Sequence, residues 1–359
     1  MNSIYIIAEA GVNHNGSKEK ALQLIDAAII AGADAVKFQT FRADNIVTKN
    51  AEKAAYQKKT TSSNKSQFDM LKKLELTYET FHELFDYCNK SGIEFLSTAF
   101  DSESLNFLVN DLRLKTLKIP SGEITNGPLL LEHAYTGCDL ILSTGMSTLE
   151  EIEDALAILA FGFMNGNSSK IDPSRKDFQE AFLLEEGKRL LKERVTLLHC
   201  TTEYPAPMNE INLNAMLTMS NVFGLKVGYS DHSKGISVAT AATALGATLI
   251  EKHFTLNKSL PGPDHKASLE PDELRAMVDA IRTVEVVMGN GKKQPMPSEL
   301  KNREIVRKSL VAGQEIKKGE IFTEENLAIK RPGNGVNPMS YWDYLGETST
   351  KHIYPDQPL

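Results

Sequence analysis

Ile4-Tyr5-Ile6-Ile7-Ala8-Glu9, then a segment opened by Ser17 and closed by Gly32, then Ala35-Val36-Lys37-Phe38-Gln39: the chain begins as strand, helix, strand. The first run is short and rich in β-branched residues. Between Ser17 and Gly32 the apolar residues Ala21, Leu22, Ile25, Ala28 and Ile29 recur at the 3.6-residue period of a helix. Ser17 is a natural N-cap and Gly32 a natural left-handed terminator. The same unit then recurs. Further strands are expected at Ile93–Thr98, Thr116–Ile119, Leu140–Ser143, Val195–Cys200, Leu225–Tyr229 and Thr248–His253, with helical segments between them. Ser147 with Glu150 reads as a capping box for a helix from Leu149, and Pro271 as the first residue of the last long helix. Eight βα units in about 290 residues fit a (β/α)8 TIM barrel. A doubly wound sheet would carry GxGxxG after its first strand, and Gly11-Val12-Asn13-His14-Asn15-Gly16 lacks that spacing.

Two segments fall outside a minimal barrel. Residues 163–194 read as a surface insertion in the barrel domain, residues 1–290. After a linker at 291–298, residues 299–359 read as a small loop-rich second domain. Forty Lys and Arg against 47 Asp and Glu leave a net charge of −7. Nucleic-acid binding is not expected, since that needs a dominant basic surface. No apolar run reaches the ~18 residues of a membrane span, and the first residues lack a basic leader, so a cytoplasmic protein is expected. Cys88, Cys138 and Cys200 are far apart, without CxxC spacing, and read as reduced buried thiols.

In such a barrel the chemistry gathers where strands end. The ends carry Glu9, Lys37 with Gln39, Thr98, Lys118 with Ser121 and Glu123, Thr144, Thr202 with Tyr204, Ser230-Asp231-His232, and Glu251-Lys252-His253. One strand lysine or one histidine is ordinarily structural; two imidazoles, three lysines and several carboxylates on one rim are not. His232 and His253 end adjacent strands, and with an open remainder of oxygen ligands they would suit a catalytic ion such as Mn²⁺ or Zn²⁺. Lys37 and Lys118, helped by Thr98 and Ser121, would hold a phosphate. Equally, one desolvated lysine would serve a Schiff-base aldolase, and spacing does not separate the two. A third reading is a non-catalytic protein whose tail recognises polysaccharide.

Several motifs resemble one family. Glu9-Ala10-Gly11-Val12-Asn13-His14-Asn15-Gly16, Val36-Lys37-Phe38-Gln39-Thr40, Phe95-Leu96-Ser97-Thr98-Ala99-Phe100-Asp101 and Lys118-Ile119-Pro120-Ser121-Gly122-Glu123 resemble the sialic acid synthases. So do His199-Cys200-Thr201-Thr202-Glu203-Tyr204-Pro205, Ser230-Asp231-His232, Glu251-Lys252-His253-Phe254, Gly262-Pro263-Asp264-His265 and Lys330-Arg331-Pro332-Gly333-Asn334-Gly335. The resemblance runs in order from the first strand to the tail. It implies that the tail is an antifreeze-like (SAF, β-clip) domain capping the partner's barrel in a domain-swapped homodimer. It implies condensation of phosphoenolpyruvate with an open-chain N-acetylated hexosamine, releasing phosphate with help from a divalent metal, Mn²⁺ first, Mg²⁺ or Co²⁺ next.

Carried over by position, the resemblance makes His232 and His253 metal ligands and places Lys37, Thr98, Lys118, Ser121 and Ser230 around phosphoenolpyruvate. Gln39, Glu123, Tyr204 and Asp264 would contact the sugar, and Arg331 would reach its N-acetyl group across the dimer. Glu9 and Glu123 are the carboxylates for proton handling. Thr202 stands where relatives often carry Asn on the phosphate side, and Asn64 lies in a loop supplying a sugar-binding Asn. The acceptor expected first is N-acetylmannosamine, giving N-acetylneuraminate. A 2,4-diacetamido-2,4,6-trideoxy-mannose, giving legionaminate, is the alternative.

Overall fold

The computed structural model describes residues 3–54, 57–58, 61, 66–166 and 173–359. Two compact units divide the chain, Met1–Gly289 and Asn290–Leu359. In the first, eight parallel strands close in sequence order into a barrel: β1 (Tyr5–Gly11), β2 (Ala35–Thr40), β3 (Glu94–Ala99), β4 (Thr116–Ile119), β5 (Asp139–Ser143), β6 (Val195–Cys200), β7 (Lys226–Asp231) and β8 (Leu249–His253). Around them run α1 (Lys18–Ala31), α2 (Ala43–Ile46), α3 (Gln67–Leu74), α4 (Tyr78–Ser91), α5 (Ser102–Asn106), α6 (Gly127–Tyr135), α7 (Leu149–Asn165), α8 (Arg175–Leu183), α9 (Glu185–Arg194), α10 (Asn214–Phe223), α11 (Ser237–Ala244) and α12 (Pro271–Val287).

Local chemistry sets the boundaries. Ser17 Oγ accepts the Lys20 N–H at the start of α1, and Gly32 ends it at φ 79°, where a side chain would be strained. The cap of α7 sits one residue beyond the Ser147–Glu150 expectation. Thr148 and Glu151 exchange the capping-box bonds, because the Ser147 hydroxyl is drawn back to the Gly145 carbonyl. Within 163–194, α8 and α9 pack against α7: Phe161 meets Phe178 edge to face at 5.3 Å. The glycine at 187 lets α9 close on α8, since a Cβ there would lie 2.0 Å from the Ala181 carbonyl oxygen.

Alternation along the strands sorts side chains into two layers. Outward residues such as Ile6, Val36, Phe38, Leu117, Leu142, Leu197 and Ile250 join the helices in the main core. Inward, Ile7, Ala35, Leu96, Ile141, Leu198 and Leu249 form their own apolar plug. At β7 the plug leaves room for no side chain: a Cβ on Gly228 would stand 2.4 Å from the Leu249 carbonyl oxygen. The barrel is thus closed below its mouth.

In the second unit, α13 (Pro297–Val306) precedes an antiparallel pair, β9 (Ser309–Ala312) and β10 (Leu327–Lys330). Its small core is Ala312, Ile316, Phe322, Leu327 and Ile353.

Candidate active site

Two residues beyond the plug, the inward positions turn polar: Glu9, Lys37, Thr98, Ser143, Ser230 and Glu251, with Lys118 from β4 in register with Thr98. The pairing Glu9↔Lys37 and Glu9↔His253 puts a carboxylate between a lysine and an imidazole on neighbouring strands. Lys37 Nζ lies 2.6 Å from Glu9 Oε2 and 3.4 Å from Glu251 Oε2 and donates to Thr98 Oγ1 at 3.2 Å. Lys118 Nζ approaches Glu251 Oε1 at 3.3 Å, and the Ser230 hydroxyl donates to the same oxygen at 2.7 Å. All four charged side chains are at most 4% exposed. Sequence alone gives Glu251 no role of its own, yet it is the hub of this layer.

Burial alone would raise the Glu251 carboxyl, but Lys118, Lys37 and the Ser230 hydroxyl outweigh it and hold it below the carboxylate range. For Glu9, burial dominates; Lys37 opposes it, Glu251 reinforces it, and the carboxyl is raised. Burial pulls Lys37 down, but Glu251 and Glu9 overcome it and keep the ammonium charged. Lys118 is lowered, by burial first and then by Lys37. The layer therefore holds a firm anion, Glu251, a firm cation, Lys37, and two groups that exchange protons more easily.

Above the layer opens a cavity of about 340 Å³. His232 and His253 line it, ring centroids 5.6 Å apart, and the Tyr204 ring covers His232 at 4.2 Å and meets His253 edge-on. His232 Nδ1 donates to the Thr201 carbonyl at 2.7 Å, so Nε2, which faces Ser230 Oγ at 3.4 Å, carries the lone pair. His253 Nδ1 is buried with no hydrogen-bond partner among the described residues. Burial lowers His232 to about 4, and burial together with His232 takes His253 well below its ordinary value. Two neutral imidazoles with a fixed tautomer and an orphaned buried nitrogen suit a divalent ion. Among the described residues no group of three His, Cys, Asp or Glu gathers around them.

Ser121, Thr202, Asp264 and Glu123 also line the cavity. Ser121 Oγ accepts the Gly145 N–H at 2.9 Å. The glycine is required, since a Cβ at 145 would lie 2.2 Å from Thr202 Oγ1 and 2.8 Å from Ser121 Oγ. The hydroxyls of Thr202 and Ser143 are buried without hydrogen-bond partners among the described residues, and neither Ser143 nor Gly145 is expected from sequence. Gln39 Nε2 donates to Glu9 at 3.4 Å. Burial pushes Asp264 up to about 6. Glu123 sits half-buried at the rim, accepting from Asn126 Nδ2 at 2.7 Å.

Lys252, which the strand-end reading puts on the rim, occupies the opposite strand face and is fully buried. It is bound to Asp231 at 2.8 Å and to the Ser233 carbonyl. Arg331 is exposed on the second unit, its Nε donating to the Val306 carbonyl. Asn64 lies outside the described residues. The glycine-rich motif after β1 stitches the mouth: Asn13 Nδ2 donates to Phe254 O at 2.7 Å and to Ser268 Oγ at 2.9 Å, and Asn15 pairs with His265 at 3.2 Å.

Residues 24–293 match the NeuB family and residues 307–359 match the SAF domain. The chain belongs to the NeuB family. It is 50% identical over 357 residues to N,N'-diacetyllegionaminic acid synthase of Campylobacter jejuni, covering 99% of each chain. It is 45% identical to the Legionella pneumophila protein of the same name, covering 97% of this chain and 91% of that one. Among solved structures it resembles an N-acetylneuraminic acid synthetase from Leptospira borgpetersenii, with TM-score 0.66, 33% identity, and 84% and 90% of the two chains covered. The chain is a nonulosonic acid synthase of this family, with a TIM barrel and a C-terminal SAF domain.

Proposed function

We propose that this protein condenses phosphoenolpyruvate with 2,4-diacetamido-2,4,6-trideoxy-mannose, giving N,N'-diacetyllegionaminate and phosphate. The carrying observation is the juxtaposition, in one cavity, of a two-lysine cradle with two neutral imidazoles: a site for an anion beside a site for an electrophile. The choice of acceptor follows the Campylobacter and Legionella relatives, both named for that product, and replaces N-acetylmannosamine as first choice.

Lys37 and Lys118, with the hydroxyls of Thr98, Ser121 and Ser230, hold the phosphate and carboxylate of phosphoenolpyruvate. A divalent ion on His232 and His253, Mn²⁺ before Mg²⁺ or Co²⁺, would polarise the acceptor aldehyde as a Lewis acid. The methylene carbon of the enol attacks C1 of the sugar, and the electron deficiency left at C2 of the phosphoenolpyruvate unit faces the carboxylates of Glu9 and Glu251. Water adds at that carbon. Glu9, whose proton is easily exchanged, takes the proton released. That proton passes on to the alkoxide left at C1 of the sugar; the C–O bond to phosphate then breaks as the added hydroxyl becomes the ketone, and phosphate leaves with the electron pair and that hydroxyl's proton. Gln39, Glu123, Tyr204 and Asp264 position the sugar in this reading. The domain-swapped homodimer belongs to the same proposal, with Arg331 of one copy serving the acceptor bound to the other. Solution mass by light scattering tests the dimer.

The purified protein, given Mn²⁺ and phosphoenolpyruvate, should release phosphate with the diacetamido acceptor at a higher kcat/KM than with N-acetylmannosamine. A reversed preference overturns the acceptor, and no phosphate release with either sugar overturns the reaction.

A further inference from the structure

The cavity has two chemically different ends. Its floor is the charged layer, but the wall above β2 and β3 is apolar. There Phe41, Ile46, Val47, Met70, Leu71 and Leu74 line the space, with Gln57 and Gln67 as the polar members of that stretch. Phe41, Met70 and Leu74 are at most 7% exposed and form, with Val12, a cluster separate from the main core. Phe41 packs edge to face on Phe100 at 6.1 Å. On α3 the spacing of Met70, Leu71 and Leu74 turns one face into the cavity, and Lys72 clamps that helix to α2 through Asp44 at 2.9 Å. The wall is a built surface.

Its place in the ring matters. In a closed ring of eight strands in sequence order, β3 stands opposite β7. An acceptor whose aldehyde lies at His232 and His253, on β7 and β8, therefore extends over the lysine layer toward this wall. What meets the wall is the end of the sugar farthest from the aldehyde.

We propose that this wall is the specificity determinant for the terminal carbon of the acceptor, selecting a sugar whose C6 is a methyl group over one bearing a 6-hydroxyl. The inference rests on the acceptor reading above and deepens it. A methyl group leaves water for an apolar surface, whereas a hydroxyl set against these six apolar side chains surrenders its water for no hydrogen bond from them. An apolar pocket discriminates against an added hydroxyl only moderately, so the expected preference is about 10- to 100-fold in kcat/KM.

The test uses two acceptors differing only at C6, N-acetylmannosamine and 2-acetamido-2,6-dideoxy-mannose, with the wild-type protein and with Val47→Thr and Leu71→Gln. Both residues are half-buried, and the first change exchanges a methyl for a hydroxyl at constant shape. The wild type should favour the 6-deoxy sugar. Each variant should narrow the preference by at least about 5-fold with KM for phosphoenolpyruvate unchanged, the latter reporting an intact site. Equal use of the two sugars by the wild type, or an unchanged ratio in both variants, overturns the inference. If the pair is discriminated but the diacetamido acceptor is not turned over, the wall stands and the acceptor reading falls. If the diacetamido acceptor is used and the pair is not discriminated, the reverse holds.

Discussion

Replacing Glu251 with Gln keeps the shape of the charged layer and removes its firm anion. The carboxylate faces Lys118 at 3.3 Å and Lys37 at 3.4 Å, with all three side chains at most 4% exposed. At an effective dielectric of about 20, each contact represents about 5 kcal/mol of attraction, 332/(20 × 3.3). Desolvation of the charges cancels much of that in the intact protein. Breaking a buried arrangement from one side nonetheless costs about 3–5 kcal/mol, because two ammonium groups remain in a dry layer with Glu9 as their sole carboxylate neighbour of the original pair. Lys118, already lowered by burial and by Lys37, would relieve part of the cost by releasing its proton, so the upper figure is a ceiling. For a unit of this size, about 2 °C per kcal/mol puts the fall in Tm at about 6–10 °C.

The same geometry fixes the sign of a second effect. In the wild type, an incoming phosphate must share Lys37 and Lys118 with Glu251; in Glu251→Gln it supplies the missing counter-charge. Saturating inorganic phosphate or phosphoenolpyruvate should therefore raise Tm more in the variant than in the wild type. Calorimetry of both proteins with and without phosphate reads both quantities. An unchanged Tm, or a phosphate-induced rise no larger than that of the wild type, would refute the placement of Glu251 as the counter-ion of the cradle.

Other outcomes follow from the same contacts. His253→Ala should lose bound metal, measured by elemental analysis after dialysis against Mn²⁺, together with phosphate release; full turnover in metal-stripped buffer contradicts the imidazole site. Asp264, pushed up to about 6 by burial, keeps its proton in the folded chain between about pH 4 and pH 6, where the unfolded chain has released it, so its contribution to stability falls as pH rises through that window. At pH 7.5 Asp264→Asn should be more stable than wild type by up to about 3 kcal/mol, since each tenfold difference in proton affinity between the folded and unfolded chains is worth about 1.4 kcal/mol. The gain should vanish near pH 4, and urea unfolding at the two pH values checks this. Borohydride with pyruvate should label none of Lys37, Lys118 and Lys252, and a stable adduct on any of them would restore the Schiff-base aldolase.

The barrel was legible because each βα unit carries its own punctuation, and tertiary packing did not override it. Where the first helix should stop, Gly32 does stop it. The cap of α7 slips by one residue because two adjacent hydroxyls, Ser147 and Thr148, both suit an N-cap, and only the turn at Gly145 decides between them. The membership of the charged layer is also written in the sequence, through strand parity. Side chains alternate across a strand, so His253 facing the mouth places Glu251 there too and sends Lys252 to the other face. Likewise Ser230 and His232 share one face while Asp231 takes the other, where Lys252 meets it at 2.8 Å. Reading Glu251-Lys252-His253 as three members of one site mixes the two faces. Parity equally brings in Ser143, two residues beyond Ile141 of the plug. Gly145 is different, because its role is the absence of a Cβ against Thr202 and Ser121, a close approach between two loops that no periodicity encodes. The same limit applies to the apolar wall: Met70 and Leu71 look like ordinary helix-face residues, and Val47 like a loop residue, until the fold sets them across the mouth from the imidazoles. Chemistry carried by charge and strand register can be read along one chain, whereas chemistry carried by the shape between loops becomes visible only once the strands have closed.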